Sequence, residues 1–146
     1  MAAYSVNADV ISEFRALVVT SSSIVTTAEL TEFIVQTDNF INGKIGTRFE
    51  VPVTSAPLAL SILKTISIGI TADRVSKILE VKTTTDETKQ ESEKTVGEKA
   101  MDMLDQIASG ELLLSDATHV RAGAGVASFN VDNAVKPEFN IQTDQW

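Results

Sequence analysis

The sequence predicts a mainly α protein: a small bundle of about four helices followed by an extended, partly β C-terminal arm. Apolar residues recur at three- and four-residue steps in successive stretches before Gly110. Helix-start and helix-stop residues bracket most of those stretches. Beyond Gly110 the helical period is lost, and short alternating runs replace it. The expected division is a helical domain over residues 1–114 and an arm over residues 115–146.

The first helix is expected over residues 7–19. Asn7 or Asp9 is placed to cap it, and Val10, Ile11, Phe14 and Leu17 or Val18 supply its apolar face. The run Thr20-Ser21-Ser22-Ser23 then reads as a loop. Thr26 and Glu29 have the spacing of a capping box, in which each side chain satisfies the other's free backbone N–H. Val25 and Leu30 are spaced as the accompanying hydrophobic staple. Leu30, Phe33, Ile34, Thr37, Phe40, Ile41 and Ile45 form the face of this second helix, with Glu32, Gln36, Asp38, Asn39 and Asn42 largely opposite.

Gly46 ends the second helix, and residues 47–53 read as an extended link with alternating apolar side chains. Pro52 biases Val51 away from helical geometry. Pro57 suits a first helical turn. Leu58, Ile62, Leu63, Ile66, Ile70, Val75, Ile78 and Leu79 carry a third helix, while Leu60 and Ile68 fall off that stripe. A helix apolar on more than one side belongs at the centre of a bundle. Gly69 costs about 1 kcal/mol of helix propensity and marks a possible kink.

Residues 82–95 contain no apolar side chain and read as a loop or a solvated helix start. A fourth helix is expected from about Glu91 to Ser109 on Val96, Ala100, Met103, Leu104 and Ile107, with Gly110 as a left-handed cap. Leu112, Leu113 and Leu114 are placed to fold back on the bundle. The residues after them include a flexible Ala122-Gly123-Ala124-Gly125, an alternating run from Val126 to Asp132, and the shorter Phe139-Asn140-Ile141. Isolated strands are unstable, so this arm packs on its own domain or adds to a partner. Its expected anchors are Phe129, Val131, Phe139, Ile141 and the terminal Trp146, aromatic residues being enriched at interface hot spots.

Composition narrows the chemistry. A chain of 146 residues suits one domain with a real core. It has no cysteine, which excludes disulfides and thiol catalysis, and one histidine, which leaves a zinc site short of ligands. The net charge of −8 opposes tight duplex binding, since phosphate neutralisation needs clustered Lys and Arg. The amino-terminal stretch lacks a basic region followed by a continuous apolar one. The apolar run from Pro57 to Leu79 is interrupted by Lys64, Asp73, Arg74 and Lys77, so no membrane span is expected.

No P-loop, Rossmann glycine pattern or H-E-x-x-H is present. Gly123-Ala124-Gly125 lacks a third glycine and a following helix. Ser115, Asp116 and His119 sketch a nucleophile and base without an oxyanion hole. Glu98, Asp102 and Asp105 read as a solvated flank of the fourth helix. The chain is therefore expected to be no enzyme and to carry no cofactor or metal.

One arrangement of segments is more specific. A helix ending in Phe40-Ile41-Asn42-Gly43-Lys44-Ile45 leads into Arg48-Phe49-Glu50-Val51-Pro52-Val53. An apolar helix begins near Pro57, a polar gap follows, and a late helix closes with Met103-Leu104-Asp105-Gln106-Ile107-Ala108-Ser109-Gly110. This order resembles the small head–tail connector proteins of tailed bacteriophages, also called adaptor or head-completion proteins. In that family a helix leads into an R-Y-x-x-P-like segment, and a later helix ends in an L-x-x-I-A-x-G-like turn. Phe49 stands where tyrosine is usual, so a hydroxyl contact at that place is not carried over. The resemblance spans Val6 to Leu114 and leaves the arm outside it.

The resemblance implies a structural protein of the virion neck, made in the host cytoplasm and assembled as a homo-oligomeric ring, commonly of about twelve copies. Its partners would be the portal protein above and a neck or tail protein below, with DNA passing through the channel without specific binding. Arg48, Phe49 and Pro52 become inter-subunit or linker residues on this view. A local ion pair of Arg48, and a purely structural role for Phe49 and Pro52, are the plainer alternatives. Two other functions remain in view: a stopper or tail terminator, which would be richer in strand, and a small helical regulatory or binding module.

Overall fold

Thr26 and Glu29 do form a capping box. The Thr26 N–H donates to Glu29 Oε2 at 2.8 Å, and the Glu29 N–H donates to Thr26 Oγ1 at 3.3 Å. This box opens the second of four helices in a computed structural model that describes residues 3–14, 17–81, 83 and 94–120. The helices are α1 (Asn7–Ile11), α2 (Thr27–Ile45), α3 (Pro57–Leu79) and α4 (Val96–Ser109). The described part is mainly helical, and its β structure is a single isolated bridge between Phe49 and His119. The alternating runs at 126–132 and 139–141 lie outside the described residues.

The central helix is α3, which packs against each of the other three. Its first half adds Ala59, Leu63 and Ile66 to a core shared with Ile41 and Ile45 of α2, Leu104 and Ile107 of α4, and Phe49. Its second half adds Ala72 and Val75 to a cluster with Val10, Phe14, Val25, Leu30 and Ile34. Val25 and Leu30 are thus buried together, as their staple spacing predicts. Full burial of one such side chain stabilises by about 1.5–3 kcal/mol.

The helix is continuous through Gly69. What the glycine provides there is proximity: a Cβ at Gly69 would lie 2.8 Å from that of Ala100. One at Gly97 would lie 2.4 Å from the Cβ of Asp73. Small residues therefore let α3 and α4 approach closely.

Two boundaries and one cap differ from the sequence reading. The first helix stops at Ile11 and does not run to 19. The Glu13 and Phe14 N–H groups donate to Val10 and Ile11, tightening the chain so that Phe14 turns into the core. Of the alternatives Leu17 and Val18 for the apolar face, Leu17 packs partly buried against the core and Val18 is 74 % exposed. Val6 is the cap position: its N–H donates to Asp9 Oδ2 at 3.0 Å, whereas Asn7 donates to Thr31 Oγ1 at 2.9 Å.

The fourth helix starts at Val96, not near Glu91, because Thr95 and Glu98 make a second capping box there. On α2 the faces are rotated slightly from expectation. Asp38 is buried and Phe40 is 43 % exposed.

Asp38 is buried because donors meet it. Oδ2 accepts the Tyr4 N–H at 2.9 Å, and Oδ1 accepts the Ser67 hydroxyl at 2.7 Å. Ser5 Oγ lies 2.9 Å from Ser67 Oγ. The Tyr4 hydroxyl donates to Asn42 Oδ1 at 2.5 Å and accepts the Val53 N–H at 3.2 Å. These bonds tie an amino-terminal strap, residues 3–8, along α2. Every buried side-chain N and O among the described residues has a partner, as a low-dielectric interior requires.

Candidate interaction surface

The carboxy ends of α2 and α4 and the amino end of α3 meet at one end of the bundle, where residues 47–56 and 110–120 close over them. The first of these segments begins as a turn, with the Arg48 and Phe49 N–H groups donating to Ile45. The alternation then appears as expected: Phe49 and Val53 point inward and Val51 outward. The Val51–Pro52 peptide is cis, and Pro52 is exposed. The Glu50 N–H donates to Thr118 at 2.8 Å, and the Val120 N–H donates to Arg48 at 2.9 Å. This antiparallel pairing lays the Phe49 ring on that of His119, with centroids 4.7 Å apart.

Arg48 and Gly110 meet across 62 residues of chain (110 minus 48). Gly110 takes φ +91°, the left-handed cap its position predicts, and its N–H bonds Gln106 at 3.0 Å. The Arg48 guanidinium lies directly over it: a Cβ built on Gly110 would be 1.9 Å from Nη1. The positive group thereby sits at the negative end of the α4 dipole, a placement worth about 0.3–1 kcal/mol. Leu112 and Leu114 fold back onto the core beyond this point, while Leu113 is 61 % exposed.

Asp116 has a role that no local pattern indicates. Its Oδ2 accepts the Leu58 N–H at 2.7 Å and its Oδ1 accepts the Ala59 N–H at 2.9 Å. It thus caps α3 from 58 residues further along the chain. The cap position itself is Ala56, which has no side-chain acceptor. A helix start without its own capping residue was the one available sign that an acceptor comes from elsewhere. Among the described residues no hydrogen bond joins Ser115, Asp116 and His119.

The acidic side chains of α4 are dispersed. Asp105 pairs with Lys44 at 2.9 Å, Asp102 pairs with Lys94, and Glu98 serves the Thr95 cap. Asp102 also borders a cleft of about 380 Å³ between α3 and α4, shared with Asp73, Lys77 and Lys94. Its charges are paired, Lys77 with Asp73 at 2.6 Å. The carboxylates that accept from Lys77 and Lys94 hold both ammonium groups above their ordinary values. Among the described residues no cluster of three or more His, Cys, Asp or Glu is placed to hold a metal.

Of the predicted linker residues, Phe49 is core, Arg48 is a half-buried tie between α2 and α4, and Pro52 is surface. The same end of the bundle carries the exposed aliphatics Val51, Leu58, Leu113 and Val120. The described chain leaves from there. The predicted arm anchors Phe129, Val131, Phe139, Ile141 and Trp146 lie outside the described residues. No helix among the described residues is long and apolar enough to cross a membrane. No family model, curated protein or solved structure matches the chain.

Proposed function

We propose that the chain is a head–tail connector subunit, a non-catalytic adaptor that forms a ring beneath a phage portal, extends the DNA channel and offers a platform to the next neck or tail protein. The observation that carries this reading is the meeting of Arg48 with Gly110. These residues belong to the two short motifs on which the family resemblance rests. Their union makes one surface from segments that the sequence keeps apart.

Ring closure needs two different surfaces on each subunit that meet head to tail. The end bearing the exposed aliphatics Val51, Leu58, Leu113 and Val120 supplies one such surface. The mainly helical makeup of the described residues favours an adaptor over the strand-rich stopper or terminator. The acidic balance of −8 suits a channel past which DNA slides without sticking. In this role the arm reaches a neighbouring subunit or the portal, with Phe129, Val131, Phe139, Ile141 and Trp146 as anchors.

The test is electron microscopy of particles from a phage that lacks only this gene. Separate heads and complete tails, with heads that lose their DNA, would support the assignment. Intact infectious particles would overturn it.

A further inference from the structure

A groove of about 380 Å³ runs between the amino-terminal strap and the outer side of α2. Ala3, Val6, Ala8, Thr31, Ile34 and Val35 line it, and none of its lining residues is charged. Val6 and Val35 are 57 % and 42 % exposed. Its walls are fixed. The strap is held at one end by Tyr4 on Asp38 and Asn42, and at the other by Asn7 on Thr31. The strap therefore runs antiparallel to α2.

The chain itself contains a segment that matches. Residues 126–131, Val-Ala-Ser-Phe-Asn-Val, are uncharged, and extended backbone puts Ala127, Phe129 and Val131 on one face. Their starting point is known, since the Val120 N–H donates to Arg48 just beyond the carboxy end of α2. From Arg48 back to Val35 along a helical rise is roughly 20 Å. Residues 121–126, extended, cover about 20 Å as well. By axial distance alone, Ala127 would then come level with Val35, and Phe129, about one helical turn further along, level with Thr31 and Val6. On the same spacing the charged Asp132 would come beyond the apolar part of the groove.

We propose that residues 127–131 of the chain's own arm occupy this groove in the free subunit, with the Phe129 ring as the filling group. The arm is stored on its own domain until a partner offers a better site. This assignment concerns the unassembled chain and does not rest on the connector reading.

The absence of native cysteine allows a direct test. In the full-length chain, Ala127→Cys with Val35→Cys should oxidise to a disulfide within one molecule. The rate should exceed at least tenfold that of a control pair, Ala127→Cys with Ile78→Cys, and adding Phe129→Ala should remove most of the advantage. Equal rates for the two pairs would overturn the proposal. So would a covalent dimer as the main product in dilute solution, which would place the arm on a second copy. As a check free of new cysteines, the Val6 and Val35 methyl resonances should shift when residues 121–146 are removed; unchanged resonances would also overturn it.

Discussion

The carboxylate of Asp116 closes the amino end of α3, accepting the N–H groups of Leu58 and Ala59 at 2.7 and 2.9 Å. The bond spans 58 residues, so it fastens the return segment to the central helix as well as capping it. Asp116→Ala should lower stability by about 1–2 kcal/mol, the usual cost of a lost cap. Asp116→Asn should recover part of that loss, because an amide oxygen still accepts one of the two bonds. Urea unfolding of the three proteins tests this; equal midpoints would show that the cap contributes nothing.

Asp38 should respond to substitution in an unusual order. Asp38→Asn keeps an acceptor for the Tyr4 N–H and can donate to Ser67 Oγ, whose own proton then turns to Ser5. It should lie within about 1 kcal/mol of the parent at neutral pH, since burying a neutral amide avoids the cost of burying a charge. Asp38→Ala orphans a buried N–H and should cost about 2–3 kcal/mol. An alanine variant as stable as the asparagine one would remove the network from the account.

The pH dependence of that comparison has a definite sign. Burial raises the Asp38 carboxyl above its ordinary value of 3.8, against the opposing hydrogen bonds from Ser67 and Tyr4. The native state holds this proton more tightly than the unfolded chain does. Asp38's contribution is therefore fullest below 3.8 and is lost as pH rises through the raised native value. Asp9, lowered mainly by its hydrogen bond from Lys64, and Glu29, lowered by its bonds from Thr26, run the opposite way. Both contribute above the ordinary carboxylate range and lose that contribution as pH falls through their native values. The stability of Asp38→Asn relative to the parent should thus improve as pH rises through the window above 3.8. A difference that stays flat with pH would show that Asp38 does not titrate anomalously.

What was legible in the sequence was chemistry that completes itself within one turn. Thr26 with Glu29, Pro57 as a first helical residue, and Gly110 as a left-handed cap each need only near neighbours. Thr95 with Glu98 belongs to the same class and was overlooked, because the polar run before it masked the helix start. Asp38 and Asp116 belong to another class. Each looks like a surface carboxylate, and each is satisfied by a backbone N–H more than thirty residues away. Helical periodicity places Asp38 near the edge of the apolar face, but only Tyr4 and Ser67 make its burial tolerable. Phe40 shows the converse: apolar and on the stripe by spacing, it is 43 % exposed among the described residues, with Lys44 over its ring.

Close approach of α3 and α4 depends on Gly97. Gly97→Ala would bring its Cβ within 2.4 Å of the Asp73 Cβ, an atom fixed to the backbone and unable to swing away. The helices must then separate, which also loosens Gly69 against Ala100. The expected loss is about 1–3 kcal/mol, as for overpacking of a close-packed interior. Calorimetry should show a lower Tm with the helical circular dichroism retained. An unchanged Tm would mean that the helices part without cost.

Removing residues 121–146 separates fold from assembly. The described core clusters draw only on residues up to Ala117, and the Arg48–Val120 bond survives a cut after residue 120. The truncated chain should therefore keep its helical circular dichroism and unfold cooperatively. On the connector reading it should also fail to complete particles when it replaces the full chain, because the anchors from Phe129 to Trp146 are gone. A truncated chain that still completes particles would exclude the arm from docking and leave the surface around Val51, Leu58 and Leu113 to carry the contact alone. A truncated chain that no longer folds would show instead that the arm is part of the domain.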